Sequence, residues 1–109
     1  MDYLFEKNYD NEQNCWFIEV SGEIDIFNSD KFKSDLLLLA DEKQCNIKID
    51  CTNLKYIDST ALGVLVAILK RVKSYNGEIY LLKLKPSIEK LFKITNLDKV
   101  FTIEGDAND

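Results

Sequence analysis

The chain of 109 residues contains no histidine. That absence removes the Ser-His and Cys-His nucleophile pairs, histidine metal sites and the commonest general base. It lowers the case for an enzyme without abolishing it. Cysteine is scarce and odd in number: Cys15, Cys45 and Cys51 fall in strand-like or loop stretches, so a disulfide framework is not expected. Cys45 and Cys51 do not make a C-x-x-C pair, and Gly22 and Gly63 belong to no phosphate-cradling glycine loop. Small buried side chains are the default reading of the cysteines. No metal or cofactor is called for. A long apolar run is also missing: the longest, Ala61 to Leu69, is far too short to span a bilayer. The start, Met1 to Glu6, lacks the basic and apolar segments of a signal peptide. The expectation is a cytoplasmic protein. Basic charge is in the minority, 14 residues against 19 acidic for a net charge of -5. That sign argues against nucleic acid or an anionic membrane surface as partner.

What is present is enough for one domain with a real core. Apolar residues make up 46% of the chain, and a chain of this length hides roughly two-thirds of its unfolded surface. Leu4-Phe5 and Cys15 to Val20 read as strands joined by a polar turn, Asn8 to Asn14, in an antiparallel hairpin. Trp16, Ile18 and Val20 share one face, Phe17 and Glu19 the other. After the loop Ser21 to Ser29, Asn28 or Ser29 is placed to cap a helix to about Ala40. Its buried stripe is Phe32, Leu36 and Leu39, widened by Leu37 and Leu38. A polar connector, Asp41 to Asn46, leads to the alternating strand Ile47 to Cys51. Thr52 to Lys55 reads as a turn, and a helix is expected from about Ser59 to Tyr75, stopped by Asn76-Gly77.

Ile79 to Leu84 is apolar enough for a strand buried on both faces. Pro86, the single proline, suits the first position of a helix to about Thr95 whose stripe is Ile88, Leu91 and Phe92. Val100 to Ile103 closes as a short strand, and Glu104 to Asp109 is expected to fray. The order β-β-α-β-α-β-α-(β) predicts an α/β fold, with a mixed, mostly parallel sheet, an N-terminal antiparallel hairpin and packed helices.

One polar step, Asp58-Ser59-Thr60, stands between a strand-like run and the apolar helix. Its simplest reading is an N-cap, in which Asp58 or Ser59 accepts from a free N–H at the helix start, worth about 1 kcal/mol. Its functional reading is phosphorylation at Ser59. A helix N-terminus tolerates a phosphate, while Asp58, and Asp25 if near, would repel it. The modification would then change the surface and leave the fold intact. The helix behind the step is apolar nearly all round, so either other helices cover it or a strip remains for a partner. Gly63 costs about 1 kcal/mol there relative to alanine, which a close contact or the approach of another chain would explain.

The motifs Gly22-Glu23-Ile24-Asp25, Ile57 to Val64 and Gly77-Glu78, with the closing stretch Ile88 to Leu97 and Val100-Phe101, resemble those of the anti-sigma factor antagonists. These are stand-alone STAS domains of bacteria, and the resemblance runs in order over nearly the whole chain. It implies a protein–protein switch. The unphosphorylated antagonist binds an anti-sigma factor that is itself a serine kinase, and so frees the sigma factor. Phosphorylation of the serine matching Ser59 ends binding, and a metal-dependent PP2C-type serine phosphatase restores it. Thr60 is a possible secondary acceptor. The resemblance makes Asp25 the loop aspartate of the partner contact, and the docking surface is expected to hold Asp25, Asp58, Ser59, Thr60, Leu62 and Gly63. Ala61 stands where many members have glycine. Two other readings remain open: a STAS scaffold or transport-accessory subunit, and a small enzyme or ligand carrier using Cys51 or the acidic residues.

Overall fold

The computed structural model describes residues 3–105. Strand β1 (Tyr3–Asp10) and strand β2 (Cys15–Ile24) form the expected antiparallel hairpin, in register from Tyr3 opposite Gly22 to Asp10 opposite Cys15. Both strands outrun the sequence reading. Asn8 to Asp10 pair with β2 where a turn was expected, and the bend is confined to residues 11–14. Asp10 fixes it by accepting from the N–H groups of Glu12 (3.0 Å) and Gln13 (3.2 Å), an aspartate-nucleated turn. At the far end β2 continues through Ser21 to Ile24, where the sequence predicts a loop. Gly22 makes this possible: it takes φ +91°, where the register with the neighbouring strand shifts by a bulge.

Then follow helix α1 (Ser29–Glu42), strand β3 (Asn46–Asp50), strand β4 (Leu54–Ile57), helix α2 (Ser59–Lys73), strand β5 (Ile79–Leu82), helix α3 (Pro86–Ile94), a 3-10 turn at Leu97–Lys99 and strand β6 (Thr102–Glu104). The six strands form one sheet in the order β1-β2-β3-β5-β6, with β4 beside the end of β2, and every pairing after the hairpin is parallel. The chain is thus an α/β domain with a mixed, mostly parallel sheet. Alternation sends Trp16, Ile18, Val20, Ile47, Ile49, Ile79 and Leu81 into a single core. Against them lie Phe32, Leu36 and Leu39 of α1, Leu65, Ile68 and Val72 of α2, and Ile88 and Phe92 of α3. The other face of the sheet is wetter: Glu19 is exposed, and Phe17, Lys48 and Tyr80 are half-buried.

Several expectations change. Thr52 to Lys55 is only half a turn, because Leu54 and Lys55 enter β4. β5 stops at Leu82, with Lys83 at φ +60°, and buries one face, Tyr80 and Leu82 being half-exposed. Leu38 does not widen the α1 stripe, being 66% exposed. α2 ends at Lys73, two residues early, and within the Asn76-Gly77 stop it is Asn76 that takes the left-handed conformation (φ +65°). Gly77 is needed for space instead, since a Cβ there would stand 2.7 Å from Val72 Cγ1. Glu104 is held in β6, where Lys83 N–H donates to its carbonyl at 2.9 Å, so it is no part of a frayed tail. The remainder of that tail, residues 106–109, lies outside the described residues. Among the described residues no helix is long and apolar enough to cross a membrane.

Candidate functional site

The polar step lies where β4 runs into α2, beside the loop that leaves β2. Asp58 is the N-cap: extended in its backbone, it accepts from Ala61 N–H through Oδ1 at 2.9 Å. Its other oxygen, Oδ2, accepts from the backbone N–H of Ile26 at 3.0 Å, and its own N–H donates to the Ile24 carbonyl at 3.2 Å. One carboxylate therefore ties the helix start to the loop. That loop is closed from within. Asp25 Oδ1 accepts from Phe27 N–H, and Asn28 Oδ1 accepts from Asp25 N–H, both at 2.9 Å. Asn28 Nδ2 donates to the Glu23 carbonyl at 2.9 Å. The sequence cast Asn28 or Ser29 as the cap of α1. Asn28 occupies the cap position, but its side chain makes no capping bond because both ends are spent on the loop, and Ser29 is buried as the first helical residue.

Ser59 and Thr60 are exposed in the first turn of α2, and Asp25 and Asp58 are half-buried beside the same junction. Gly63, one turn on, is exposed, and a Cβ built on it would meet no atom within 4 Å. No contact among the described residues explains this glycine. Val66 and Ala67, both half-buried, continue this side along the helix, Lys70, Arg71 and Lys73 are exposed at its end, and the opposite side is buried in the core. Leu62 does not join this surface. It is 8% exposed and packs in the core, at the edge of the side of α2 that also buries Ala61, Leu65 and Leu69. Sequence reasoning passed over three neighbours, Ile26 (65% exposed), Phe27 (88%) and Tyr56 (49%). The signal was there: two large apolar residues inside a loop of capping and acidic residues have no periodic stripe to join.

Chemically the junction offers an accessible hydroxyl at the positive end of a helix, flanked by carboxylates and fringed by apolar side chains. A phosphate on Ser59 would need no repacking of the core. Among the described residues no three His, Cys, Asp or Glu side chains come together to hold a metal ion. The three thiols are free and buried. Burial pushes the Cys51 thiol from its usual 9.0 up to about 12, with Asp50 adding to the effect. The void that Cys51 helps line, between Val20, Ile49 and Leu65, measures about 10 Å³, room for a water at most. A Cys51-centred chemistry has neither a thiolate nor a chamber for a substrate.

The chain is a small single α/β domain whose polar step is exposed at the junction of β4 and α2. The STAS domain profile matches residues 6–109, and the chain belongs to the STAS domain family. It is 36% identical over 100 residues to the anti-sigma-B factor antagonist of Bacillus subtilis, covering 90% of this chain and 91% of that protein. The crystal structure of a Thermotoga maritima protein, 27% identical, matches with a TM-score of 0.82 over 94% of this chain and 86% of its own. The anti-sigma factor antagonist SpoIIAA shares the fold in both its unphosphorylated and phosphorylated forms, each at 16% identity with a TM-score of 0.71. The unphosphorylated form is matched over 93% of this chain and 87% of that one, the phosphorylated form over 93% and 91%.

Proposed function

We propose that this chain is an anti-sigma factor antagonist working as a partner switch. Unphosphorylated, it docks on an anti-sigma factor that is a serine kinase, through the face made by Ser59, Thr60 and Gly63 of α2 with Asp25 and Asp58. Docking frees the sigma factor. The kinase transfers a phosphate to Ser59 Oγ, and the modified face no longer fits. A PP2C-type serine phosphatase removes the phosphate and resets the cycle, all in the cytoplasm and without a resident cofactor.

The observation that carries this reading is the exposed Ser59 hydroxyl directly after the capping carboxylate of Asp58. A phosphate brings a charge of about -1.5 to -2. At Ser59 it would crowd two carboxylates, and any partner covering it would have to strip its water. The helix N-terminus stabilises the charge locally, so repulsion falls on the partner and the fold is spared.

Incubation with the cognate kinase and ATP, followed by mass-spectrometric mapping, tests the assignment. The phosphate is expected on Ser59 and absent from Ser59→Ala; mapping to Thr60 alone, or undiminished labelling of Ser59→Ala, would refute it. Ser59→Asp is expected to bind the anti-sigma factor at least tenfold more weakly than wild type.

A further inference from the structure

We propose that Ile26 and Phe27 are the apolar anchor of the docking surface, seated in an apolar pocket of the anti-sigma factor. The inference rests on the reading of the Ser59 face as the docking surface. It adds a second, uncharged component to it.

Phe27 is 88% exposed, the most exposed large apolar side chain among the described residues, and Ile26 beside it is 65% exposed. Single apolar residues on a surface are ordinary. This pair is distinguished by how it is held. The backbone around it is fastened by Asp25, Asn28 and Asp58, through groups that do not depend on the identity of side chains 26 and 27. The N–H groups of Asn28 and Ser29 both donate to the Asp25 carbonyl, at 3.2 and 2.9 Å. The order of the loop therefore does not rest on either side chain. It presents them to water on a loop that is already ordered, which lowers the entropy lost on docking. The occupant follows from continuity. Asp58 accepts from Ile26 N–H and is covalently next to Ser59, so the loop borders Ser59 and lies within reach of a partner that covers it. Buried aromatic anchors dominate such contacts.

The two components differ physically. Repulsion at a phosphorylated Ser59 is electrostatic and screened by salt. Burial of Ile26 and Phe27 is apolar and insensitive to such screening. Affinity from the anchor and control from the charge can therefore be read separately.

The test is titration of the purified cognate anti-sigma factor with wild type, Phe27→Ala, Phe27→Leu and Ser59→Asp at low and at high salt. Phe27→Ala is expected to melt like wild type and to bind about tenfold to a hundredfold more weakly. Its deficit should be equal at both salt concentrations, and Phe27→Leu should recover part of it. The deficit of Ser59→Asp should shrink as salt rises. Full affinity in Phe27→Ala while Ser59→Asp is impaired overturns the anchor and leaves the docking surface standing. Full affinity in both overturns the docking surface itself. Loss in Phe27→Ala alone supports the anchor and removes Ser59 from the control of binding.

Discussion

Asp58 Oδ2 accepts from the backbone N–H of Ile26 at 3.0 Å while Oδ1 caps Ala61 at 2.9 Å. A single side chain thus couples the start of α2 to a loop over thirty positions earlier in the chain. The coupling matters because each element contributes half of the candidate docking surface, the hydroxyls from the helix and the apolar pair from the loop. Sheet pairing alone brings them near: Ile24 lies beside Ile57 in the parallel register of β2 and β4.

The two roles of Asp58 can be separated by substitution. Asp58→Ala removes the cap and the loop tie, and an expected loss of about 1–2 kcal/mol should appear as a lowered urea midpoint. An asparagine keeps one oxygen but turns the other position into a donor, which cannot accept from an N–H. Asp58→Asn should therefore fold within about 0.5 kcal/mol of wild type if its oxygen caps Ala61. Hydrogen exchange at the Ile26 amide should nevertheless quicken, since its acceptor is gone. Unchanged protection at Ile26 would show that the loop does not depend on Asp58.

Gly63 and Gly77 should respond to alanine with opposite signs. At Gly63 a methyl meets nothing, and replacing a helical glycine by alanine gains about 0.5–1 kcal/mol. The same methyl would stand on the face proposed to meet the partner, so Gly63→Ala is expected to raise the melting temperature and to lower affinity severalfold. At Gly77 the new Cβ would stand 2.7 Å from Cγ1 of Val72, which is fully buried and held by the core. Overpacking of this kind costs about 1–3 kcal/mol. Melting of the two variants side by side checks the pair, and a stabilised Gly77→Ala would mean that the turn relaxes freely.

Strong local signals in the sequence survive folding intact. The alternation in β2 and β3, Pro86 at the start of α3, the Asp58 cap and the Asn76 stop each depend on chemistry within a few residues. What the sequence concealed depends on which partner a segment or a side chain finds, near or far along the chain. β4 buries only Leu54 and Ile57 and leaves Lys55 and Tyr56 outward, so it shows no alternation; its pairing with the end of β2 makes it a strand. Asn28 looks like a helix cap because asparagine caps helices, yet Asp25 N–H and the Glu23 carbonyl claim both ends of its amide. At the junction, the Asp58 cap and the exposed position of Ser59 beside it were legible from the step itself. Leu62 could not be told from an outward residue, because the helix is apolar on nearly every side and only the position of the sheet decides which side is buried.

The buried thiols predict alkaline lability with a definite sign. In the folded chain Cys51 holds its proton to about 12, whereas an exposed thiol loses it near 9.0. Between these values the unfolded chain binds fewer protons than the folded one, so stability falls as pH rises. The stabilising contribution is complete below about pH 9 and disappears as pH climbs towards 12, with a slope of up to about 1.4 kcal/mol per pH unit from this one group. Burial raises Cys15, Cys45, Tyr3 and Tyr75 in the same direction, so the other groups add to the fall. Urea midpoints measured at about pH 8 and about pH 10 should drop between the two. Cys51→Ala, although less stable throughout because it leaves a cavity, should show the shallower drop. An equal drop in wild type and variant would clear Cys51 of the effect and assign it to the tyrosines and the other two thiols.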